Sequence, residues 1–166
     1  MMTLFYPEDL ALKLWPLMLL ILLPLTAHAL EVGDRLAPWT LLDQFDEPYT
    51  FNDQSPTQTL LVARSMDASK LVNGALQDKP KGFLESRNTV FVADIHKMPA
   101  LISKMFAVPG MRAYSYRIML DRDARVVPQY PGDLDKVLWL QVQNGKLVKQ
   151  QQFGSSDELR AALERP

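Results

Sequence analysis

The sequence contains no cysteine among its 166 residues. A chain without thiols cannot form a disulfide, a thiol nucleophile, a thiolate metal site, an iron–sulfur cluster or a cysteine-linked lipid anchor. Glycine is also scarce: the seven glycines stand at positions 33, 74, 82, 110, 132, 145 and 154. This spacing is too wide for a dinucleotide-binding loop or a Walker loop. We therefore expect no thiol chemistry and no cofactor.

The sequence also lacks an excess of either charge, with 18 basic and 19 acidic side chains and a net charge of −1. A near-neutral chain without a long basic run has no electrostatic footprint for nucleic acid or for an anionic membrane. Its length and composition are those of one globular domain. We expect no nucleic-acid partner and no membrane association beyond the leader.

One apolar run, residues 14–26, is uncharged and is followed by Ala27-His28-Ala29. This small-x-small pattern is what signal peptidase accepts. The run contains two prolines and is shorter than the roughly 20 residues that span a bilayer. We predict that residues 1–29 are a cleaved signal peptide and that residues 30–166 are a periplasmic domain. Because Glu8 and Asp9 weaken the positive start, the alternatives are a true start downstream of Met1 and an uncleaved anchor that tethers a structural domain.

The middle of the chain alternates between strand and helix patterns. Residues 59–64 and 89–95 are apolar runs of the length and composition of buried strands. Each precedes a helical stripe of apolar residues, the first at Leu71, Val72, Ala75 and Leu76 and the second at Leu101, Ile102, Met105 and Phe106. We expect both stripes to be buried, and the second helix to run from Pro99 to before Pro109. The alternation predicts parallel pairing of the strands.

A predicted β-hairpin lies on each side of this segment. The first joins residues 39–43 and 48–51 through a polar turn, and the second joins residues 137–142 and 146–150 through Asn144-Gly145. A final helix follows, with Ser155 and Glu158 at capping-box spacing. The fold class is therefore α/β with a mixed central sheet.

The ends of the domain resemble those of known proteins. Residues 142–148 and 153–159 resemble the last hairpin and capped helix of thioredoxins, and residues 32–41 resemble the opening of peroxiredoxins. The resemblance implies a thioredoxin-like three-layer sandwich, with a mixed central sheet flanked by helices and an N-terminal β-hairpin. A leader together with a cysteine-free chain is closest in look to YtfJ-type periplasmic thioredoxin-like proteins.

The resemblance also indicates where thioredoxin chemistry would lie and that it is missing. Alignment on the lysine places Ser65–Lys70 at the thioredoxin W-C-x-x-C-K motif, with Met66 and Ser69 at the two thiol positions. The position of the family's cis-proline is taken by Val137 or by its neighbour Lys136. No thiol–disulfide exchange or peroxidase activity is expected from these residues.

Two functional hypotheses follow. The first is a redox-inactive module that binds a protein or peptide partner, with candidate binding residues Ser65, Met66, Asp67, Ser69, Lys70, Lys136 and Val137. The second is a small anion binder or non-thiol enzyme that uses Ser65, Asp67, Ser69 and Lys70 at the helix N-terminus, where free N–H groups favour anions. Helix capping explains the two serines without either function, and no catalytic residue is assigned.

Other reactive side chains have simpler interpretations. His96 and Asp94 would need Ser65 or Ser69 to form a Ser-His-Asp arrangement, and no Gly-x-Ser-x-Gly motif supports one. We interpret His96 as a surface residue. Solvated turns are the interpretation of Asp121, Asp123, Asp133 and Asp135, and core filling is that of Met66, Met98, Met105, Met111 and Met119. No metal site is predicted.

Overall fold

The computed structural model describes residues 29–54 and 57–165. The predicted leader lies outside these residues except for Ala29, so its cleavage stays a prediction. Within the described residues, no helix has the length and apolar character needed to cross a membrane.

Seven strands and three helical segments make up the described chain. The strands are β1 (Trp39–Leu42), β2 (Pro48–Phe51), β3 (Thr57–Ala63), β4 (Thr89–Asp94), β5 (Ile118–Asp121), β6 (Val137–Gln143) and β7 (Lys146–Phe153). Helix α1 is Met66–Leu76 and α3 is Ser156–Glu164. Between them, α2 consists of α-helical Ala100–Ile102, π-helical Ser103–Ala107 and α-helical Val108–Met111. Short 3-10 turns cover Glu85–Arg87 and Val127–Gln129.

The strands form one mixed sheet in the order β2-β1-β5-β4-β3-β6-β7. Strand β3 pairs in parallel with β4, and β4 pairs in parallel with β5. The apolar run of β3 is buried from Gln58 to Ala63, which confirms the predicted central strand. Because parallel strands share a direction, the segments that follow β3, β4 and β5 emerge at one edge of the sheet.

Both predicted hairpins are confirmed. Strands β1 and β2 pair in register from Trp39 with Phe51 to Leu42 with Pro48. The turn of the β6–β7 hairpin has positive φ at Asn144 (50°) and Gly145 (75°), the combination required by a type I′ turn. A side chain at position 145 would also strike Asp53, since its Cβ would lie 2.5 Å from the Asp53 Cβ. Strand β7 is an edge strand, as its polar composition predicts.

Apolar side chains form one buried cluster on each face of the sheet. Helices α1, α2 and α3 contribute Val72, Val108 and Leu159 to the first cluster. The second cluster is covered by the lead-in residue Leu36 and by Tyr130, which follows the second 3-10 turn. All three helices therefore pack on the same face of the sheet.

The predicted buried stripe of α2 is wrong. Its four members are exposed: Leu101 65%, Ile102 45%, Met105 58% and Phe106 65%. Val108 is the buried residue of this helix. The apolar periodicity defined a face correctly but could not say whether that face meets the sheet or solvent. The helix also continues through Pro109, because the π-helical stretch ends just before it and leaves proline in the first turn of a new α-helical piece.

The turn of the N-terminal hairpin contains a buried amide. Gln44 has no exposed surface. Its Nε2 donates to the Tyr116 carbonyl oxygen at 2.8 Å, and its Oε1 accepts from the Ile118 N–H at 2.9 Å. The predicted polar turn is therefore fastened to the segment that leads into β5, and Gln44 pairs backbone groups that no strand pairs there.

A buried ion pair lies beside this amide. The Asp43 carboxylate, fully buried, accepts from the Arg117 Nε at 2.7 Å and from the backbone N–H groups of Phe45 and Glu47 at 2.8 and 2.9 Å. Burial alone would raise the pKa of Asp43, but the Arg117 and backbone hydrogen bonds outweigh it and hold the pKa below its usual value.

One carboxylate predicted to be solvated is buried. Asp121 has no exposed surface and accepts from the backbone N–H groups of Arg125, Val126 and Val127 at 3.0, 2.8 and 2.8 Å. It terminates β5 by satisfying the amides of the turn that follows, so the solvated-turn interpretation is wrong for Asp121.

The core-filling interpretation is likewise wrong for Met66 and Met105, which are 54% and 58% exposed.

Candidate functional site

The predicted site begins with Ser65, which caps α1. Its backbone is extended (φ −144°, ψ 169°), and its Oγ accepts from the Ala68 N–H at 3.1 Å. The same Oγ donates to the Leu134 carbonyl oxygen at 2.7 Å. Capping by Ser65 is confirmed, and its hydroxyl is engaged both as a donor and as an acceptor. It therefore lacks the neighbouring base that would activate it as a nucleophile.

The other polar groups of the first turn of α1 bond to one another. Ser69 Oγ donates to the Ser65 carbonyl oxygen at 3.0 Å. The Lys70 ammonium pairs with the Asp67 carboxylate at 2.8 Å, with both side chains about 70% exposed. An anion at this helix end would face the Asp67 carboxylate and would compete with it for Lys70. Ser69 therefore caps no N–H group of the helix, so the capping interpretation is wrong for Ser69, and the Asp67–Lys70 pair disfavours an anion at this position.

Met66 and Val137 both lie at the end of β3. Met66 is the first residue of α1 and is exposed. Val137 is the first residue of β6, is buried, and pairs with Ala63 at the end of β3.

The Lys136 side chain forms an ion pair with the Asp133 carboxylate at 3.3 Å. A backbone hydrogen bond from Asp135, together with Lys136, lowers the pKa of Asp133. No peptide bond of the described residues is cis.

A groove of about 310 Å³ opens beside the start of α1. Its walls come from the ends of β3 and β4 and from the segment before β6, and they comprise Arg64, Ser65, Met66, Asp94, Ile95, Lys97, Met98 and Leu134. Leu134 is 52% exposed. The lining combines the apolar side chains of Met66, Met98 and Leu134 with charged groups of both signs from Arg64, Lys97 and Asp94, a mixture found in ligand and peptide clefts.

Two backbone contacts fix the loop that forms one wall of this groove. Arg64 Nη1 donates to the Gly132 carbonyl oxygen at 2.7 Å, and Ser65 Oγ holds the Leu134 carbonyl oxygen. Both donors sit where β3 passes into α1. The loop before β6 is thereby tied to the start of the helix at two points two residues apart.

His96 lies at the same edge of the sheet but is not joined to either serine. Its Nδ1 is 2.6 Å from the Asp94 Oδ1, and Asp94 also accepts from the His96 N–H at 3.0 Å. In the described residues, no hydrogen bond links His96 to Ser65 or Ser69. The Ser-His-Asp arrangement is not assembled. Nor do the described residues gather three or more His, Asp or Glu side chains in a metal-binding group.

A second, smaller cavity of about 90 Å³ lies between α1 and the segment before β5. Asn73 Nδ2 lies 3.3 Å from the Tyr114 hydroxyl, and the Tyr116 hydroxyl donates to the Asn73 Oδ1 at 3.3 Å. The two tyrosine rings are stacked with centroids 5.3 Å apart. Burial, with the neighbouring Tyr114, raises the pKa of Tyr116 well above its usual value, so the Tyr116 hydroxyl in this cavity is neutral.

Of the predicted binding residues, only Ser65 and Met66 line this groove. Sequence reasoning missed the other lining residues, which are Arg64, Asp94, Ile95, Lys97, Met98 and Leu134. Lys97 and Met98 follow β4, and Leu134 belongs to a loop with no periodicity. The signal that would have found Lys97 and Met98 is topological, because segments that follow neighbouring parallel strands meet at one edge of the sheet. Leu134 carries no such signal, since its position depends on the two contacts from Arg64 and Ser65.

Comparison with known proteins identifies the fold but not a family. No protein-family model and no curated protein matches the chain. Among solved structures, a peroxiredoxin-like protein from Aquifex aeolicus matches with a TM-score of 0.54 and 13% identity, over 82% of this chain and 88% of that one. The fold is thioredoxin-like.

Two further structures support the thioredoxin-like fold. Peroxidoxin BcpB from Mycobacterium tuberculosis matches with a TM-score of 0.51 and 16% identity, over 82% of this chain and 99% of that one. The thioredoxin domain of a thiol-disulfide oxidoreductase from Bacteroides vulgatus has the same TM-score and identity, over 82% and 97% of the two chains. At such identities the likeness concerns the fold alone, and this chain has no cysteine.

Proposed function

We propose that this chain is a secreted, periplasmic thioredoxin-like domain that binds a peptide or protein segment in the groove beside α1 and performs no thiol–disulfide exchange. In these respects it would resemble the YtfJ-type periplasmic proteins. The observation that carries the proposal is the groove itself, which combines apolar walls with charged groups at the start of α1.

The groove suits an extended chain more than a compact metabolite. Its apolar lining comes from two methionines, a leucine and an isoleucine, and flexible methionine side chains adapt to varied apolar partners. Lys97 takes part in no ion pair of the described residues, so it is available to an acidic or carboxylate group of the partner. A short segment with apolar side chains next to an acidic residue satisfies both features.

The chemistry of the groove favours binding over catalysis. Ser65 is the hydroxyl nearest the helix start, and its Oγ is committed to a cap and to a carbonyl oxygen. The only imidazole in the described residues, His96, is paired with Asp94. These groups of the groove therefore offer a recognition surface and no activated nucleophile.

Selection from a displayed random-peptide library tests the binding proposal. Peptides enriched on the wild-type protein should carry apolar and acidic residues and should lose at least tenfold in affinity for Leu134→Asp and Met98→Asp. Val148→Asp, at an exposed apolar position on β7, is the matched control and should bind them normally. Equal binding by all four proteins would contradict the assignment of the groove.

A thermal-shift panel separates the peptide proposal from the anion alternative. A ligand at one hundred times its dissociation constant adds about 2.7 kcal/mol of apparent stability. Selected peptides should raise the melting temperature, whereas phosphate, sulfate and small carboxylates should not. A rise in melting temperature with an anion, if Lys70→Gln abolishes it, would overturn the peptide assignment.

Two further experiments test the remaining parts of the proposal. A disulfide-reduction assay should give no turnover above buffer, and N-terminal sequencing after secretion should begin at Leu30.

A further inference from the structure

Among the residues that the structure describes, the exposed face of α2 brings four large apolar side chains together. Leu101, Ile102, Met105 and Phe106, here named the α2 patch, are 45–65% exposed and share one side of a single helix. Isolated exposed apolar residues are common, but contiguous ones indicate a surface that something covers. None of the four lines the groove beside α1, so the patch is a separate surface.

The charged residues that flank the α2 patch along the chain are all of one sign, while Asp46 and Asp123 from other segments lie in the same pocket as Lys104 and Arg112. Residues 95–120 contain Lys97, Lys104, Arg112, Arg117 and His96 but no aspartate or glutamate. Arg112 and Arg117 have acidic partners from the hairpin turn, at 3.7 Å and 2.7 Å. Lys97 and Lys104 have none among the described residues. The near-neutral net charge of the chain hides this local excess of positive charge.

These observations point to one kind of occupant. A second copy of the chain packed on this patch would bring lysines of like charge together, which disfavours self-association. The patch presents leucine, isoleucine, methionine and phenylalanine beside two lysines that have no acidic partner among the described residues. That composition is typical of amphipathic helices that lie in the surface of anionic membranes.

We propose that the α2 patch inserts into the surface of an anionic lipid bilayer. Leu101, Ile102, Met105 and Phe106 enter the boundary between headgroups and acyl chains. Lys97 and Lys104 stay at the level of the phosphates, with their aliphatic stems along the apolar region. This inference uses residues outside the proposed peptide groove, apart from Lys97, and does not depend on that function.

Because the chain has no cysteine, one introduced thiol can be labelled uniquely. The full chain carrying Met105→Cys is labelled with an environment-sensitive fluorophore and mixed with vesicles of phosphatidylglycerol or of phosphatidylcholine. We expect a blue shift of the emission with the anionic vesicles only. Val148→Cys on β7, at the far edge of the sheet, is the matched control and should show no shift even if the leader tethers the chain.

Charge reversal tests the lysines. In the labelled protein, Lys97→Glu with Lys104→Glu should weaken the vesicle-dependent shift at least tenfold in lipid concentration, because each basic residue near an anionic surface contributes about 1 kcal/mol. Ile102→Ser with Phe106→Ser should weaken it similarly, while the near-ultraviolet circular dichroism stays native.

Three outcomes would overturn the proposal. The first is co-sedimentation with vesicles without any shift of the label at position 105. The second is an equal shift with both lipids. The third is a shift that depends on protein concentration in the absence of vesicles, which would assign the patch to a second copy of the chain.

Discussion

Replacement of Gln44 by leucine tests how the N-terminal hairpin is held to the rest of the sheet. The Gln44 side chain is fully buried and serves the Tyr116 carbonyl oxygen and the Ile118 N–H. Leucine has a similar volume but leaves both backbone groups buried without a partner. Each unpartnered group costs about 1–3 kcal/mol, so we expect Gln44→Leu to lower the free energy of unfolding by about 2–6 kcal/mol. A domain of this size has about 5–15 kcal/mol in total.

The measurement is urea unfolding followed by circular dichroism. Gln143→Leu, at an exposed position on β6, is the control and should stay within about 0.5 kcal/mol of wild type. Gln44→Glu distinguishes hydrogen bonding from packing: its carboxylate can still accept from Ile118 but faces the Tyr116 carbonyl oxygen. It should be more destabilising at neutral pH than at acid pH, where the protonated group can donate. A Gln44→Leu midpoint equal to that of wild type would refute the reasoning.

Three other perturbations have defined outcomes. Gly74→Ala should lower the urea midpoint, because the new Cβ would lie 2.5 Å from the Ser156 Oγ and this clash outweighs a helix propensity gain of about 1 kcal/mol. In a Ser156→Gly background, Gly74→Ala should raise the urea midpoint instead. The Asp43 carboxylate has a lowered pKa in the fold, so its stabilising effect is complete above the usual value of 3.8 and is lost as the pH falls through the lowered value. Asp43→Asn should therefore reduce the loss of unfolding free energy at acid pH, as measured by unfolding at a series of pH values. Tyr130 accepts from the Trp39 indole N–H at 2.8 Å, so Tyr130→Phe should lower the free energy of unfolding by about 1–3 kcal/mol in thermal unfolding. Burial raises the pKa of Tyr130 to about 12, so tyrosinate absorbance from this residue should appear only near that pH in the wild-type protein. A Gly74→Ala gain in both backgrounds, an unchanged acid limb in Asp43→Asn, or an unchanged melting temperature in Tyr130→Phe would contradict the respective argument.

The sequence predicted those elements whose patterns have one physical meaning. The apolar runs of β3 and β4 are long enough to be buried on both faces, and Asn144-Gly145 tolerates the positive φ values that its turn requires. Ser65 was predicted as a helix cap from its chemistry and position. These features depend on local geometry, which a single sequence encodes directly.

The features that could not be predicted depend on contacts between distant segments. The α2 periodicity defines an apolar side but does not say what that side meets. A polar turn has the same composition whether it is solvated or, as at Asp43 and Gln44, buried against another segment. Leu134 joins the candidate site through a loop without periodicity. In each case the missing information is which partner lies opposite.

The double engagement of the Ser65 hydroxyl bears on how recognition in the groove could change. One oxygen both caps α1 and holds the backbone of the loop that carries Leu134. The spacing of the groove walls is thus set by the hydrogen bond from the Ser65 hydroxyl to the Leu134 main-chain carbonyl, and the side chains of Met66 and Leu134 take no part in that bond. Substitutions at these two positions can alter which partner is preferred while the cleft stays preformed, so a new partner incurs little ordering entropy from the loop. In the proposed binding function, specificity could therefore change at these two side chains while the contacts that hold the loop stay in place.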